Sequence, residues 1–227
     1  MRSRAAWQAA LAELIGVFAF VVLGAGAVLT SSGNVTHIAL AHGLALAVVV
    51  AATARFSGGH INPAVTVAAF VTRRIGLVKG IMYVVAQLVG AAVAALFLLW
   101  MFPTGMEGNL GSHALAAGVS PGMGLLIEIV LTFFLVAIVF ATAMDPKGPG
   151  HLAPFAIGIV VLVDHLVGVP LTGASMNPAR SFGPALVSGT WANHWVYWVG
   201  PLVGGIIAGL VYEWVFLRWR VESSSPR

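Results

Sequence analysis

The sequence predicts an all-α membrane protein, with six transmembrane helices and two re-entrant half-helices in an inverted repeat of three helices. Three observations predict this class. The chain of 227 residues is 59% hydrophobic and only 8% charged, and its mean hydropathy is +0.99. Six apolar runs are long enough to span a bilayer, whereas two others are too short. Landmarks of the first half recur about 115 positions later, which indicates an internal repeat.

The six long runs are predicted to be transmembrane helices. A helix needs about 20 residues to cross about 30 Å of hydrocarbon. The first run follows Arg2 and Arg4, but it is longer than the apolar core of a signal peptide, and no small-residue cleavage site follows it. We therefore interpret it as the first span. The predicted spans cover residues 6–30, 35–55, 80–102, 122–144, 152–171 and 195–217.

The basic residues predict the orientation of the chain. An even number of spans puts both termini on one side of the membrane. Apart from Arg180, every Lys and Arg falls at the termini or after spans two and four: Arg2, Arg4, Arg55, Arg73, Arg74, Lys79, Lys147, Arg218, Arg220 and Arg227. The positive-inside rule then predicts that both termini are cytoplasmic. Because these charges flank apolar runs, the net charge of +4 does not indicate nucleic-acid binding. The short termini and connections favour a cell (plasma) membrane.

The repeat relates the two halves of the chain. Glu13 recurs as Glu128, and the triplet Asn62-Pro63-Ala64 recurs as Asn177-Pro178-Ala179. Each half contains three spans, so the second half enters the membrane inverted with respect to the first. We expect a single channel domain over residues 1–227, with repeats at about 6–105 and 121–220.

Residues 62–72 and 177–187 are predicted to be half-helices, because each covers about half the length of a span. A Gly-containing segment precedes each one. Irregular backbone at membrane depth is tolerated only where it is buried in protein or lines a watery cavity. We therefore predict two re-entrant loops whose carbonyl groups line a water path: Gly58, Gly59, His60 and Ile61 in the first, and Gly173, Ala174, Ser175 and Met176 in the second.

The two Asn-Pro-Ala triplets predict how water would behave between these loops. Asn is a good N-cap and Pro suits the first helical position. If the side-chain oxygens of Asn62 and Asn177 cap the half-helices, their N–H groups are free to face a pore. A water molecule that accepts from both amides can only donate along the file, which interrupts a proton wire. The converging helix N-termini oppose cations as well.

These motifs resemble the aquaporin (major intrinsic protein) family over nearly the whole chain. The paired stretches at 57–65 and 177–183 are the most specific, and residues 141–147 and 194–201 are similar to plant vacuolar-type members. The resemblance implies a passive water channel without a cofactor or enzymatic activity. It also implies a homotetramer in the lipid bilayer, with one pore in each subunit.

The resemblance assigns the selectivity filter to His42, His165, Ala174 and Arg180. His165 with Arg180 is the pattern of strict water channels, and Ser181 stands where aquaglyceroporins have Asp. His42 departs from that pattern, because water-selective members usually have Phe there. Vacuolar-type members have His at that position, and some of them pass ammonia. Two alternatives stay open: a water-selective pore, and a pore that also passes ammonia or other small neutral solutes.

Two acids, Glu13 and Glu128, are predicted inside spans one and four. They could accept hydrogen bonds from the backbone of the re-entrant loops, or they could relay protons in a proton-coupled secondary transporter. Their placement, one in each half, favours the supporting role. The resemblance also aligns His113 with an additional loop His of vacuolar-type members, while a solvent-exposed loop residue is the other interpretation.

Several chemistries have no support in the sequence. The chain has no Cys, so it has neither a thiolate metal site nor a disulfide, and mercurials should not block the pore. The histidines lack metal-ligand spacing, and no nucleophile–base pair indicates an enzyme. We expect both filter imidazoles to be neutral at pH 7, with permeability flat from about pH 6 to 8.

Overall fold

A computed structural model of the chain describes residues 3–218, except for the side chains of Ser3 and Arg218. Arg2, Arg220 and Arg227, which contribute to the predicted orientation, lie outside the described residues. Within residues 3–218 there are eight α-helices: α1 (Ser3–Thr30), α2 (Val35–Ser57), α3 (Pro63–Val71), α4 (Leu77–Met101), α5 (Pro121–Val139), α6 (Ala153–Thr172), α7 (Pro178–Ser188) and α8 (Val196–Val211). Helices α5 and α8 continue as π-helical turns over Phe140–Met144 and Tyr212–Arg218.

Six of the helices within the described range are long and apolar enough to cross a membrane. They cover Arg4–Thr30, Val35–Ser57, Leu77–Met101, Pro121–Met144, Gly150–Thr172 and Val196–Leu217. The outward faces of these spans are apolar, and Val48, Val78 and Leu126 are each more than half exposed. This confirms the predicted class of a multi-pass, all-α membrane protein.

The two remaining helices are the half-helices. Helix α3 has 9 residues and α7 has 11, and both begin with Pro after an Asn N-cap. Helix α3 packs against α8, and α7 packs against α4. Each half-helix therefore contacts the last span of the other half, which holds the two halves together around their N-termini.

Glycine permits close contact where α2 and α6 cross. A Cβ on Gly43 would lie 2.7 Å from the carbonyl oxygen of Gly158, and a Cβ on Gly158 would lie 2.5 Å from that of Gly43. These two residues are related by the repeat. Since lipid provides no hydrophobic drive between spans, small residues that let backbones approach closely stabilise such contacts.

The spans that lead into the re-entrant loops end in the same way. Gly58 follows α2 with φ of 97°, and Gly173 follows α6 with φ of 86°. Glycine adopts this left-handed conformation at little cost, so it ends the helix and redirects the chain. Both loops therefore turn back toward the middle of the protein.

Candidate functional site

The half-helices begin at Asn62 and Asn177 because each Asn caps its own helix. Oδ1 of Asn62 accepts from the backbone N–H of Ala64 at 2.8 Å. Oδ1 of Asn177 accepts from the N–H groups of Ala179 at 3.1 Å and Arg180 at 3.3 Å. Pro63 and Pro178 occupy the first helical position, where a missing N–H costs no hydrogen bond.

The two Asn side chains also hold the opposite loop. Nδ2 of Asn62 donates to the carbonyl oxygen of Met176 at 2.8 Å, and Nδ2 of Asn177 donates to that of Ile61 at 2.9 Å. The sequence-based expectation left both N–H groups of each amide for the pore. The structure corrects this, because the loops lie close enough for one N–H of each amide to bridge them. One N–H of each Asn remains for a pore ligand.

Glu13 supports the first re-entrant loop from α1. Its Oε1 accepts from the N–H of His60 at 2.9 Å, and its Oε2 accepts from the N–H of Ile61 at 2.6 Å. Oε2 also accepts from Nε2 of Gln87 at 2.8 Å. Ile61 has φ of 54°, which is costly for a β-branched residue, so these hydrogen bonds stabilise a strained backbone.

Glu128 supports the second loop from α5 with the same geometry. Its Oε1 accepts from the N–H of Ser175 at 2.9 Å and from the hydroxyl of Thr172 at 2.7 Å. Its Oε2 accepts from the N–H of Met176 at 2.8 Å. Met176 and Ala174 have φ of 51° and 58°. Both acids are fully buried, and each ties a span to a re-entrant loop.

The four predicted filter residues are all buried, and His42 contacts two of the others, Arg180 and His165. His42 is 1% exposed and Arg180 is 2% exposed. Nδ1 of His42 lies 2.9 Å from the carbonyl oxygen of Ile38, which assigns the ring proton to Nδ1. Nε2 can then accept, and Nε and Nη2 of Arg180 both lie 3.3 Å from it. His42 thus positions the guanidinium.

Arg180 has a second partner on the connection between α4 and α5. Its Nη1 donates to the carbonyl oxygen of Gly111 at 2.6 Å. Within residues 3–218 no carboxylate lies within ion-pair distance of this guanidinium, and Asp164, the nearest acid in sequence, is buried elsewhere on α6. The positive charge is therefore held by neutral acceptors.

His165 and Ala174 complete this group. Nδ1 of His165 lies 2.8 Å from the carbonyl oxygen of Val161, and its Nε2 has no partner among the described residues. The N–H of Ala174 donates to the hydroxyl of Thr172 at 3.1 Å. Gly173 lies against His113, since a Cβ on Gly173 would come within 2.6 Å of that ring. His165 thus lies on α6, and Ala174 lies in the packed loop that follows that helix.

A narrow cavity of about 20 Å³ is lined by His165 of the filter and by the two Asn side chains. Its polar wall includes both Asn62 and Asn177. The other polar or loop residues on that wall are Gly59, His60, His165, Ser175 and Met176. A wider cavity of about 240 Å³ follows on the side where α1 begins, and it is lined by Gly58, Gly59 and His60, among others.

The apolar wall of the narrow cavity was missed by the sequence reasoning. It consists of Phe20, Leu46, Val50, Val65, Leu135, Val139, Ile157 and Val161. The repeat carried a signal for these residues, because Phe20 and Leu135, and likewise Leu46 and Val161, are separated by the same offset of about 115. Apolar residues alone do not identify a pore wall, since lipid-facing residues are apolar as well.

His113 is buried rather than exposed, with only 6% of its surface accessible. Its Nδ1 lies 2.8 Å from the hydroxyl of Ser181 on α7. Burial lowers the pKa of His113 well below its ordinary value of 6.5, and the nearby Arg180 guanidinium lowers that pKa further. The interpretation of His113 as a solvent-exposed loop residue is therefore wrong.

Comparison with known proteins identifies similar chains. The family model described as Major intrinsic protein matches residues 1–212. Aquaporin TIP4-4 of Zea mays is 47% identical over 97% of this chain and 91% of its own length. Aquaporin TIP1-1 of Arabidopsis thaliana is 50% identical over 94% and 88%. Aquaporin-4 of Mus musculus is 43% identical over 94% and 69%.

Solved structures with the same fold include an aquaglyceroporin. The X-ray structure of the aquaglyceroporin from Plasmodium falciparum superposes with a TM-score of 0.85 and covers 94% of this chain and 98% of that chain. The two sequences are 24% identical, so this likeness concerns the fold alone.

Proposed function

The chain belongs to the major intrinsic protein family, the aquaporins, and from that premise we propose that its pore is water-selective and excludes protons and ions. Membership makes it a membrane channel for water and not an enzyme. The proposal concerns the choice among solutes and the residues that make this choice. In the proposed function, water moves through the pore passively and in single file along osmotic gradients.

The observation that carries the proposal is the narrow cavity between His165 and the paired Asn62 and Asn177. Its volume of about 20 Å³ suits one water molecule at a time, because a single water needs about 10–15 Å³ by this measure. Glycerol and hydrated cations are larger than such a cavity. The apolar part of the wall offers no hydrogen bonds to replace an ion's hydration shell.

Proton exclusion is assigned to the two Asn side chains. Each amide keeps one N–H after bridging the loops, and a water molecule that accepts from both amides has no lone pair left for the file. Its hydrogens then point in opposite directions along the pore. Protons cannot pass such a molecule by exchange of hydrogen bonds, and the positive ends of α3 and α7 add an electrostatic barrier.

Cation exclusion at the filter is assigned to Arg180. Its charge lies among the neutral partners His42 and Gly111, and the described residues offer no carboxylate to neutralise it. A guanidinium in a low-dielectric site repels cations strongly, while its N–H groups can still donate to water. His165 offers an open acceptor at Nε2, and Ala174 is assigned to the same filter as its small side chain.

A second candidate within the same class is a pore that also passes ammonia or another small neutral solute. His42 and Ala174 favour it, because the family resemblance links His at the first position to members that pass ammonia. Ammonia is close to water in size and needs a hydrogen-bond acceptor as well as donors. The open Nε2 of His165 provides that acceptor.

Stopped-flow light scattering of proteoliposomes tests the proposal. Vesicles that contain the purified chain should shrink faster than empty vesicles in a sorbitol gradient. They should show no added permeability to glycerol. An added internal pH rise in an ammonium gradient would favour the second candidate. Glycerol flux at a rate comparable to water would contradict water selectivity.

The assembly and the membrane are also proposals. We assign a homotetramer in the lipid bilayer, with one pore in each subunit and both termini in the cytoplasm, by analogy with the family. The short connections favour the cell membrane, whereas the likeness to TIP-type relatives, the tonoplast intrinsic proteins of plants, favours a vacuolar membrane. Cross-linking in detergent and imaging of a tagged chain in its own cells decide these two points.

A further inference from the structure

In the first half, a hydroxyl on the half-helix joins the re-entrant loop to a span. The hydroxyl of Thr66 on α3 accepts from Nε2 of Gln87 on α4 at 3.0 Å. The same hydroxyl lies 3.0 Å from Nδ1 of His60 in the loop. Gln87 thus reaches the loop through Thr66, and all three residues belong to one half of the chain.

The second half has an equivalent hydroxyl on its half-helix, but this hydroxyl has a different partner. Ser181 on α7 is the repeat mate of Thr66, and its hydroxyl lies 2.5 Å from that of Ser175, the mate of His60. The position equivalent to Gln87 falls at Pro201 on α8, which has neither a side-chain donor nor a side-chain acceptor. His113 takes that place from the connection between α4 and α5, with Nδ1 2.8 Å from the Ser181 hydroxyl.

Gln87 performs two tasks that the second half divides between two residues. Besides its contact with Thr66, Nε2 of Gln87 donates to Glu13. The equivalent donor to Glu128 is the hydroxyl of Thr172, whose single hydrogen is used in that contact, whereas the amide of Gln87 has two. The remaining task, the contact with the half-helix hydroxyl, is left to His113.

We propose that His113 is the positioning residue of the second re-entrant loop, and that it acts through Ser181 as Gln87 acts through Thr66 in the first loop. The loop that contains Ala174 and leads to Arg180 is then held from outside its own half of the chain. This inference rests on the proposed function, since it gives His113 a part in selectivity without contact with the permeating molecule.

Other contacts of the same connection agree with this role. The N–H of Ala116 donates to the carbonyl oxygen of Leu171 at 2.9 Å, and Gly111 accepts from Arg180. His113 therefore sits in a segment that is fastened on both sides. The ring is buried, and it lies 5.3 Å from the ring of Tyr197 on α8. Its position depends on packing in addition to the hydrogen bond.

Four variants test the inference by the ratio of glycerol to water permeability in proteoliposomes. His113→Ala and Ser181→Ala should each raise this ratio about threefold or more, because either one breaks the same buried hydrogen bond. The double variant should not exceed Ser181→Ala alone, since that substitution removes the contact with Ser175 as well as the contact with His113. His113→Gln, which supplies the amide found in the first half, should restore the ratio of the parent chain. Multiplied effects in the double variant, or an unchanged ratio in Ser181→Ala, would overturn the inference.

A matched control comes from the same connection. The hydroxyl of Ser112 lies 3.0 Å from that of Ser188 at the far end of α7, so Ser112→Ala removes a hydrogen bond that does not reach the loop. This variant should keep the parental ratio. If His113→Ala does not reach the membrane, Ser181→Ala still gives the result, and His113→Gln should then have no effect in the Ser181→Ala background.

A second readout does not depend on water transport. The chain has no Cys, so Ala174→Cys introduces a single thiol into the second loop. The rate at which a methanethiosulfonate reagent labels this thiol should rise about threefold or more with His113→Ala, because the loop opens more often. An unchanged rate would overturn the positioning role even in a chain that conducted no water. If the parent chain conducts no water and His113→Ala still raises the labelling rate, only the proposed function is contradicted.

Discussion

The imidazole rings of His42 and His165 stack with their centroids 4.2 Å apart and their planes inclined by 29°. Each ring has Nδ1 against a carbonyl oxygen one turn earlier in its own helix. Arg180 donates a hydrogen bond to Nε2 of His42, while Nε2 of His165 has no partner among the described residues. One stacked pair therefore supplies both the contact that orients the guanidinium and an open acceptor.

Removal of the His165 ring should relax solute choice. His165→Ala is expected to raise glycerol permeability about tenfold while water permeability is kept, because a pocket enlarged by a ring discriminates less by size. Proteoliposome swelling in glycerol and in sorbitol measures both values. His37→Ala is the matched control, since His37 is exposed at the start of α2. Equal glycerol flux in the parent and in His165→Ala would contradict this role of His165.

The chain should be insensitive to mercurials, because it contains no Cys. Ala174→Cys should make water flux sensitive to mercuric chloride, since Ala174 is fully buried in the loop beside the filter. A reducing thiol should restore the flux. Stopped-flow traces before and after treatment measure the effect. Mercurial block of the unsubstituted chain would show that the metal acts at another site.

The acids that hold the loops should matter for folding more than for coupling to protons. In Glu128→Gln an amide N–H faces a backbone N–H, and an unsatisfied buried group costs about 1–3 kcal/mol. We expect a lower yield of folded protein and a lower thermal midpoint in detergent. Glu13→Gln should behave alike, and Glu107→Gln in the connection after α4 is the control. A coupled transporter would instead lose uptake driven by a pH gradient.

Close contact between α5 and α8 should make Gly204 intolerant of a side chain. A Cβ on Gly204 would lie 2.2 Å from the carbonyl oxygen of Ile129, so the helices must separate to accept alanine. Overpacking of this kind costs about 1–3 kcal/mol or more. The thermal midpoint of Gly204→Ala should fall, whereas Gly122→Ala, which meets no atom within 4 Å, should keep or raise it. Equal midpoints for the two variants would contradict the packing.

Acid should destabilise the folded chain through two histidines outside the spans, the buried His113 and the half-buried His194. Burial lowers the pKa of both His113 and His194 below the ordinary value of 6.5. The unfolded chain then binds protons that the folded chain does not bind, so stability is full above about pH 6.5 and falls as the pH drops below it. Thermal midpoints in detergent from about pH 7.5 to 5.5 measure this slope. His113→Gln should reduce it, and a midpoint that rises in acid would contradict the assignment.

The elements of the fold follow from local features of the sequence. Apolar length identifies the six spans, and Asn followed by Pro marks the start of each half-helix after a Gly-containing segment. The repeat pairs Glu13 with Glu128. Since each of these signals is a run, a short motif or an offset along the chain, it can be read without knowledge of how the helices pack.

Contacts that cross between elements depended on the tertiary structure. The bridge from Asn62 to Met176, the contact of Arg180 with Gly111 and the buried place of His113 all join distant parts of the chain. The apolar pore wall belongs with them. In a helix of a soluble protein the apolar face marks the buried side and the polar face the exposed side. A span in lipid has apolar residues on its lipid-facing side as well as on its buried side, so the pattern of apolar residues does not show which of them face the pore. The sequence alone determined the spans, the half-helices and the polar residues among them. Packing of the spans decided which of those residues meet around the pore.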